Sequence, residues 1–278
     1  MSTLVLYSNK AYEYMVEAFL ASRSYAGADE HTVALYTIGY ESELDYPNLV
    51  KRRWDPPVER QNFQFYKPHI MRLSLEFEGD LIYFDTDILL GRRFDAPSLS
   101  NVRDYPMACL GPLEHVYYWE TDHLGNVHRY SEEGLMRYFG VRERTTGYVW
   151  TSMLSYSRAC SDFIDEWCSM VDNTYLNAPH NSRHNFPFGD ETAFNVLLWK
   201  RKCTDIFGRV FLNTIKFETM RTVESSDSLH LYKENNLGDH PDPSVYEKCE
   251  SSAEVQFYHG IKDSHEIHSA LCWMVCSK

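Results

Sequence analysis

The sequence, 278 residues long, predicts an α/β protein with a mostly parallel central sheet flanked by helices. In roughly its first third, short apolar runs alternate with stretches of helical periodicity, which is the order of elements in parallel sheets. Leu81–Phe84 is apolar at every position, as expected for a strand that is covered on both faces. Neither an internal repeat nor a linker is evident. We therefore predict one domain over residues 1–278.

The N-terminal region is predicted to begin with a strand, a helix and a second strand. Apolar runs predict strands at residues 4–7 and 33–38 and a shorter one around Leu49. Asn9 can cap the helix after the first strand, because an Asn side chain accepts the free N–H groups of a first helical turn.

The next helix has marked ends. Pro68 suits its first turn, and Gly79 suits its end. Ile70, Leu73 and Phe77 recur at steps of three and four residues, so we predict that these three side chains face the core.

Beyond residue 110 the pattern is less regular. Residues 113–138 are predicted to be an insertion with short elements, and residues 221–253, which are polar and carry prolines, to be irregular. Five regular elements are predicted in this part of the chain: a strand over Tyr148–Tyr156, a helix with Phe163, Trp167, Met170 and Val171 on one face, a helix over Asp190–Lys200, a strand over residues 255–258 and a terminal helix over residues 263–278.

Composition excludes several classes of protein. With 44% hydrophobic and 15% aromatic residues, the chain is not of the disordered class. Lys+Arg 27 against Asp+Glu 40 gives a net charge of -13, which argues against general coating of nucleic-acid phosphates. Seven cysteines without a C-x-x-C pair are typical of a reduced protein. No signal peptide or apolar run of about 20 residues is present, so we expect no membrane partner and a cytoplasmic location, in a host cell if the chain is viral.

Asp85-Thr86-Asp87 is the sharpest chemical signal in the sequence. The triplet directly follows the buried strand Leu81–Phe84, and ligands of parallel sheets bind outside the carboxyl ends of strands. Two carboxylates that are separated by one residue can both reach one cation. Hard divalent cations often bridge carboxylates to phosphates. The triplet therefore predicts a metal site that holds a diphosphate, whereas a solvated turn is the simpler alternative.

Further motifs follow in a defined order. They are Phe65-Tyr66-Lys67-Pro68, the segment from Asp80 to Leu90, Thr146-Gly147-Tyr148-Val149, Asp190-Glu191-Thr192-Ala193-Phe194-Asn195 and Phe257-Tyr258-His259-Gly260-Ile261-Lys262. This ordered set resembles the nucleotide-sugar glycosyltransferases of GT-A fold, most nearly family eight, which includes glycogenin and bacterial galactosyltransferases. The resemblance implies a Rossmann-like nucleotide-binding half over about residues 1–110 and an acceptor half over about residues 111–262.

The resemblance implies roles for individual residues. Asp85, Asp87 and His259 would bind a divalent metal, Mn²⁺ or Mg²⁺, and Asp85 would also lie near the ribose. A UDP-sugar donor would be held by a larger set: Leu6, Tyr7, Asn9, Lys67, Arg72, Gly147, Gly260 and Lys262. Lys262 would neutralise the leaving nucleotide. For Lys67 and Lys262 a solvent-facing position is the alternative.

Asp190 and Glu191 are the implied catalytic residues, which would bond sugar hydroxyls near the anomeric carbon. Asp190 could instead only cap its helix. Glu191 stands where the family often has Gln, and its carboxylate could act as a base or a nucleophile. The resemblance implies retention of the anomeric configuration, while the residues themselves leave retention and inversion both open.

The acceptor is not indicated by any motif. A glycan, a protein, a small molecule and a hydroxymethylated base in phage-type DNA are all compatible with the sequence. DNA is considered because Lys and Arg cluster at residues 51–53, 92–93, 142–144 and 200–202, although such clusters are usually solvated surface. A DNA base would have to leave the stack to be modified.

Two other functions are considered beside sugar transfer. A sugar-phosphate nucleotidyltransferase shares the broad fold, but it needs a Gly-rich loop after the first strand, where this chain has Ser8-Asn9-Lys10-Ala11. A catalytically silent nucleotide-sugar-binding module would be expected to lack one of Asp85, Asp87 and His259, and all three are present.

Overall fold

The computed structural model describes most of the chain. The described residues are 1–57, 63–91, 94–99, 102–113, 118–121, 127–130, 133–177, 189–203, 217–225, 228–233, 247–248 and 257–259. The terminal helix predicted over residues 263–278 lies outside them. None of the helices described is long and apolar enough to cross a membrane.

Helices and strands alternate through much of this part of the chain. The strands are β1 (Thr3–Ser8), β2 (Thr32–Ile38), β3 (Leu49–Trp54), β4 (Leu81–Phe84), β5 (Ile88–Leu90), β6 (Met107–Leu113), β7 (Tyr118–Thr121), β8 (Val127–Tyr130), β9 (Tyr148–Tyr156), β10 (Phe217–Ser225), β11 (Ser228–Lys233), β12 (Glu247–Lys248) and β13 (Phe257–His259). The α-helices are α1 (Glu13–Tyr25), α2 (Lys67–Ser74), α3 (Glu133–Tyr138), α4 (Ser161–Asn177) and α5 (Asp190–Lys200). The predicted α/β class, with a mostly parallel sheet flanked by helices, is confirmed.

The chain forms two compact units that alternate along the sequence. The first unit contains Met1–Pro56, Phe84–Leu99 and Asn213–Lys278, and the second contains Pro57–Tyr83 and Ser100–Leu212. Neither unit is one continuous segment. The single domain over residues 1–278 stays a prediction.

The first unit contains a parallel arrangement of three strands. β1 pairs with β2, and β2 pairs with β3, all parallel, with Leu4 opposite Val33 and Val33 opposite Leu49. Every residue of β1 is buried, because apolar side chains on both faces of a parallel strand require cover. The strands predicted at residues 4–7 and 33–38 are confirmed, and the run around Leu49 is a full strand.

The predicted cap at Asn9 is also confirmed. Asn9 Oδ1 accepts a hydrogen bond from Tyr12 N at 3.2 Å. This bond satisfies an N–H group of the short 3-10 turn Lys10–Tyr12, which leads directly into α1.

A second sheet in the first unit corrects the prediction for residues 221–253. β10 pairs antiparallel with β11, from Met220 opposite Lys233 to Ser225 opposite Ser228. The segment was predicted to be irregular because its side chains are polar. An antiparallel ladder satisfies backbone N–H and C=O groups whatever the side chains are, so polarity alone did not exclude strands here.

The second unit packs helices on β9. The predicted boundaries of β9 and α5 agree with the structure, and all four predicted core residues of α4 are buried. At the centre of the helical layer, Phe194 of α5 lies against Trp167 and Phe163 of α4, with ring centroids 4.9 Å and 5.4 Å apart. These three rings contribute much of the apolar surface that this unit buries.

Two of the three core residues predicted for this helix are not buried: Leu73 is exposed, and Phe77 is half-buried beyond Ser74, where α2 ends well before Gly79. Leu73 is 39% exposed, whereas Ile70 and Met71 are fully buried. Successive residues turn by about 100° in a helix, so Leu73 points nearly opposite to Met71. The buried face of α2 includes Lys67, Ile70, Met71 and Ser74, and the stripe that included Leu73 was therefore wrong.

Candidate functional site

Asp85 and Asp87 lie in the turn between β4 and β5 in the first unit. Ile88 N donates to Asp85 O at 3.2 Å, which closes this turn around Thr86. Both carboxylates are half-buried, and each already takes part in a polar interaction. The turn thus holds two carboxylates at the end of a fully buried strand, as the sequence predicted.

The backbone brings β13 next to this turn. β5 and β13 pair antiparallel, with His259 opposite Ile88 and Tyr258 opposite Leu89. Opposite residues in such a pair have Cα atoms about 4.5–5.5 Å apart. His259 is therefore opposite the residue that directly follows Asp87, although the two are far apart in sequence.

The residue types in this register fit a divalent metal. Carboxylate oxygens suit Mn²⁺ and Mg²⁺, and imidazole is a common additional ligand of transition metals. Within the described side chains, no group of three His, Cys, Asp or Glu residues surrounds one point. The backbone of His259 is described but its side chain is not, so its role as a third ligand stays a prediction. Gly260 and Lys262 lie outside the described residues.

Ser22 is a residue of this region that the sequence did not reveal. Its hydroxyl accepts a hydrogen bond from Leu90 N at 2.9 Å and donates to Phe19 O at 2.7 Å. Ser22 and Leu90 are both fully buried. The Ser22 hydroxyl therefore links α1 to β5. Ile88, the residue opposite His259, belongs to the same strand.

The predicted nucleotide-binding residues of β1 lie at the end of that strand. Leu6 and Tyr7 are buried within the sheet, while Asn9 is half-buried just beyond it. Ser8 Oγ donates to Asn9 O at 2.7 Å. Asn9 uses its side-chain oxygen as a cap, and the ligand contacts of all three residues stay predictions.

Glu13 and Tyr40 form a polar pair near the same strand ends. Burial raises the pKa of Tyr40 to about 12, and the negative charge of Glu13 adds to that rise. Burial also opposes ionisation of Glu13, but hydrogen bonds from Lys10 and Ser42 lower its pKa overall. Glu13 Oε1 and Tyr40 Oη are buried without a hydrogen-bond partner among the described residues. Two buried oxygens of this kind can bond a polar ligand.

In the second unit, Lys67 and Asp190 form a buried ion pair. Lys67 Nζ lies 3.0 Å from Asp190 Oδ2, with the two side chains 4% and 2% exposed. The ammonium also lies 5.2 Å from the centroid of the Tyr83 ring. Lys67 is therefore not solvent-facing, and Asp190 does more than occupy the start of its helix.

Thr151 of β9 contacts this ion pair. Lys67 Nζ donates to Thr151 Oγ1 at 3.2 Å and to Thr151 O at 3.3 Å. Thr151 Oγ1 lies 3.5 Å from Asp190 Oδ2, and Thr151 N donates to Glu191 Oε2 at 2.9 Å. A threonine that no motif singled out thus contacts three of the predicted site residues.

Asn195 repeats the same kind of contact one helical turn later. Its Oδ1 accepts from Val149 N and its Nδ2 donates to Val149 O, both at 2.8 Å. Four helical residues rise about 6.0 Å and two strand residues about 6.6 Å, so Glu191 and Asn195 match Thr151 and Val149. The side chains of α5 therefore bond the backbone of β9 at alternate residues.

Two further residues that were predicted to bind the donor, Arg72 and Gly147, belong to the second unit. Arg72 Nε donates to Asp165 on the exposed surface between α2 and α4. Gly147 is half-buried and its carbonyl accepts from Thr146 Oγ1 at 2.8 Å. Their contacts with a phosphate or a sugar stay predictions.

The basic cluster at residues 51–53 is largely paired within its own unit. Lys51 Nζ donates to two backbone carbonyl oxygens at 3.0 Å and 2.8 Å. Arg53 Nε lies 3.1 Å from Asp55 Oδ2, and its pKa is raised by that hydrogen bond. Such pairing reduces the positive charge that this cluster can offer to a phosphate backbone.

The clusters of the second unit are similarly engaged. Glu166 accepts from Lys200 Nζ at 2.5 Å and from Arg201 Nε at 2.7 Å. Arg144 lies over the Trp199 ring at 5.5 Å. Residues 92–93 lie outside the described part of the chain.

Comparison with known proteins gives structural likeness only. No protein-family model matches the chain, and no curated protein matches it. Among solved structures, it is similar to an active-site mutant of LgtC at 10% identity, over 98% of this chain and 95% of that one, with a TM-score of 0.46. It is also similar to a glycosyltransferase involved in the glycosylation of the major capsid of PBCV-1, at 12% identity, over 97% and 98% of the two chains, with a TM-score of 0.44.

A third similar structure is the glycosyltransferase GlyE of Streptococcus pneumoniae TIGR4. The identity is 14% and the TM-score 0.40, over 72% of this chain. The chain spans 43% of the length of GlyE. At identities of this size and TM-scores below 0.5, these likenesses do not extend to substrates or site residues.

Proposed function

We propose that the protein is a metal-dependent glycosyltransferase of GT-A type, which transfers a sugar from a UDP-sugar to an acceptor hydroxyl. The observation that carries the proposal is the β5–β13 register, in which His259 lies opposite the residue that follows Asp87. Two carboxylates with a histidine at a neighbouring position of the sheet are residue types that suit a cation which also binds phosphate oxygens. This arrangement does not follow from the Asp85-Thr86-Asp87 turn alone.

The proposed donor site uses the polar residues of the first unit. Asp85, Asp87 and His259 would hold Mn²⁺ or Mg²⁺, which when bound neutralises the diphosphate of the donor. Lys262 would add a positive charge there. The buried oxygens of Glu13 and Tyr40, with Tyr7 near the end of β1 and Asn9 just beyond it, support the binding of a nucleoside.

Asp190 and Glu191 are the proposed sugar-binding carboxylates. Glu191 is half-buried and Asp190 is buried, so Glu191 is the more accessible of the two carboxylates to a ligand hydroxyl. Asp190 is buried, and its Oδ2 lies 3.0 Å from Lys67 Nζ. We propose retention of configuration, with the Glu191 carboxylate acting as the nucleophile or the base.

We propose that the acceptor hydroxyl belongs to a glycan, a protein or a small molecule. The basic residues at 51–53 and 200–201 are paired with carboxylates or carbonyls of this chain, which weakens the case for DNA. Hydroxymethylated DNA stays in the acceptor test as an alternative. Binding to DNA would fall steeply with salt, whereas transfer to a neutral glycan would not.

The test is donor cleavage and transfer by the purified protein. With Mn²⁺ and a panel of nucleotide sugars, one UDP-sugar should release UDP, and Asp87→Asn should abolish the release. Asp55→Asn is the matched control, because it removes an exposed carboxylate of the same unit that pairs with Arg53. Titration of Mn²⁺ followed by electron paramagnetic resonance should show binding that Asp87→Asn removes and Asp55→Asn keeps. UDP release that survives both a chelator and Asp87→Asn would overturn the metal assignment.

A further inference from the structure

We infer that Thr151 is a positioning residue, which fixes Lys67, Asp190 and Glu191 relative to one another. The role of this arrangement in sugar transfer rests on the proposed function. The arrangement itself stands on contacts within the second unit, so it can be tested whether or not sugar transfer is observed.

Thr151 supplies two of the three acceptors that the structure describes around the Lys67 ammonium. An ammonium group has three N–H donors and no acceptor. Asp190 Oδ2 at 3.0 Å, Thr151 Oγ1 at 3.2 Å and Thr151 O at 3.3 Å match those three donors. Thr151 therefore contributes to the position of Lys67 together with the charge partner Asp190.

The direction of the hydrogen bonds follows from the same count. Because an ammonium can only donate, Thr151 Oγ1 accepts from Lys67. Its own hydrogen is then free to point at Asp190 Oδ2, 3.5 Å away. The hydroxyl thus bridges the cation and the anion, a role that a methyl group cannot perform.

Burial makes this geometry strict. Thr151 is fully buried. Counted over the whole residue, backbone included, Lys67 is 3% exposed and Asp190 is 1% exposed. Water cannot readily replace a lost partner at such a site, and a buried charge with a missing hydrogen bond is costly. The three groups are therefore expected to hold one arrangement.

The backbone of Thr151 extends the arrangement to Glu191. Thr151 N donates to Glu191 Oε2 at 2.9 Å, so the amide, the carbonyl and the hydroxyl of one residue all serve charged side chains. A displacement of β9 at this residue would move all three charged groups together. Thr151 acts through these groups and need not touch a substrate.

The experiment compares Thr151→Val, which keeps the shape and loses the hydroxyl, with Thr151→Ser, which keeps the hydroxyl. Ser74→Ala is the stability control, because Ser74 is a buried hydroxyl of the same unit that bonds Met71 O and Tyr156 Oη instead. In nitrogen NMR of the full chain, the Lys67 ammonium signal is assigned by its loss in Lys67→Met. We expect Thr151→Val to shift that signal or speed its hydrogen exchange, and Thr151→Ser and Ser74→Ala to leave it in place.

Activity provides the second readout. If UDP-sugar cleavage is observed, Thr151→Val should lower kcat by about tenfold or more, since small displacements of reacting groups are costly, and Thr151→Ser should restore most of it. Ser74→Ala should lower the melting temperature without this loss of kcat. An unchanged Lys67 signal in Thr151→Val would overturn the inference. A wild-type protein that cleaves no donor but shows the expected NMR change would overturn the proposed function and support the positioning role.

Discussion

Lys67 Nζ lies 3.0 Å from Asp190 Oδ2, and this ion pair joins the first residue of α2 to the first residue of α5. Both side chains are almost completely buried. Taking two charges out of water is expensive, so the pair is stabilising only while both partners and their hydrogen bonds are present. Thr151 supplies part of that compensation.

Breaking this pair should destabilise the protein strongly. Lys67→Met or Asp190→Asn alone should each lower the free energy of unfolding by roughly 3–5 kcal/mol, because one charge loses its partner. Lys67→Met combined with Asp190→Asn should cost much less than the sum of the two single losses, because no charge is then left buried. Urea unfolding of the four proteins measures the coupling, and additive losses would show that the two side chains are not energetically paired.

Asn195 should be important for stability in spite of its polarity. Asn195→Leu would leave Val149 N and O without their side-chain partners in a buried setting. The expected loss is about 2–4 kcal/mol, from two unsatisfied backbone groups. Asn173→Ala, which removes an exposed bond to Ser169, should change stability by less than about 0.5 kcal/mol. Similar midpoints in urea for the two variants would contradict this account of how α5 is held to β9.

Ser22 should affect metal binding at a distance. Ser22→Ala removes the acceptor of Leu90 N, and the expected cost is about 1–3 kcal/mol together with weaker protection of the Leu90 amide in hydrogen exchange. Because β5 pairs with the strand of His259, Mn²⁺ affinity should fall as well.

The matched control for this variant is Ser24→Ala on the same helix. Ser24 Oγ donates to Asp29 Oδ1 at 2.8 Å on the exposed surface, so its loss should alter neither the Leu90 amide nor Mn²⁺ binding. Equal Mn²⁺ affinities of the wild type and Ser22→Ala would show that β5 keeps its register without this hydroxyl.

Glu166 should make part of the stability pH-dependent. Burial raises its pKa, but hydrogen bonds from Lys200 and Arg201 lower the pKa overall below the ordinary value of 4.5. A carboxyl group whose pKa is lower in the folded state stabilises the protein above its unfolded pKa, and this contribution is lost as the pH falls through the folded pKa. The Glu166→Gln variant should therefore be less stable than wild type by about 1 kcal/mol at neutral pH, with the difference shrinking below roughly pH 4.5.

Melting curves from pH 3 to 7 measure this difference. Glu143→Gln, at an exposed position of the same unit, should follow the wild type at every pH. High salt should reduce the effect of Glu166→Gln, since both cations are partly exposed. A difference that grows as the pH falls would have the wrong sign for this carboxylate.

Regular elements with a clear periodicity could be predicted from the sequence. β9 and α5 have the predicted ends, because a nine-residue strand bounded by turns and an apolar helix that begins with two acidic residues are visible in the local sequence. β10 and β11 could not be predicted, since their ladder depends on pairing between segments and not on side-chain alternation. Leu73 shows a third limit, because the tertiary contacts of α2 decide which face of this helix is buried.

The α/β class and the position of the Asp85-Thr86-Asp87 turn after a buried strand could be predicted, because both follow from residues adjacent in the chain. Three relationships are visible only in the folded chain: His259 lies opposite Ile88, Lys67 donates to Thr151, and Leu90 N donates to Ser22. The last two pairs are separated by 84 and 68 residues. Their bonds use backbone groups and small hydroxyls, which every strand and many helices carry, so no local pattern distinguishes the ones that the fold brings together.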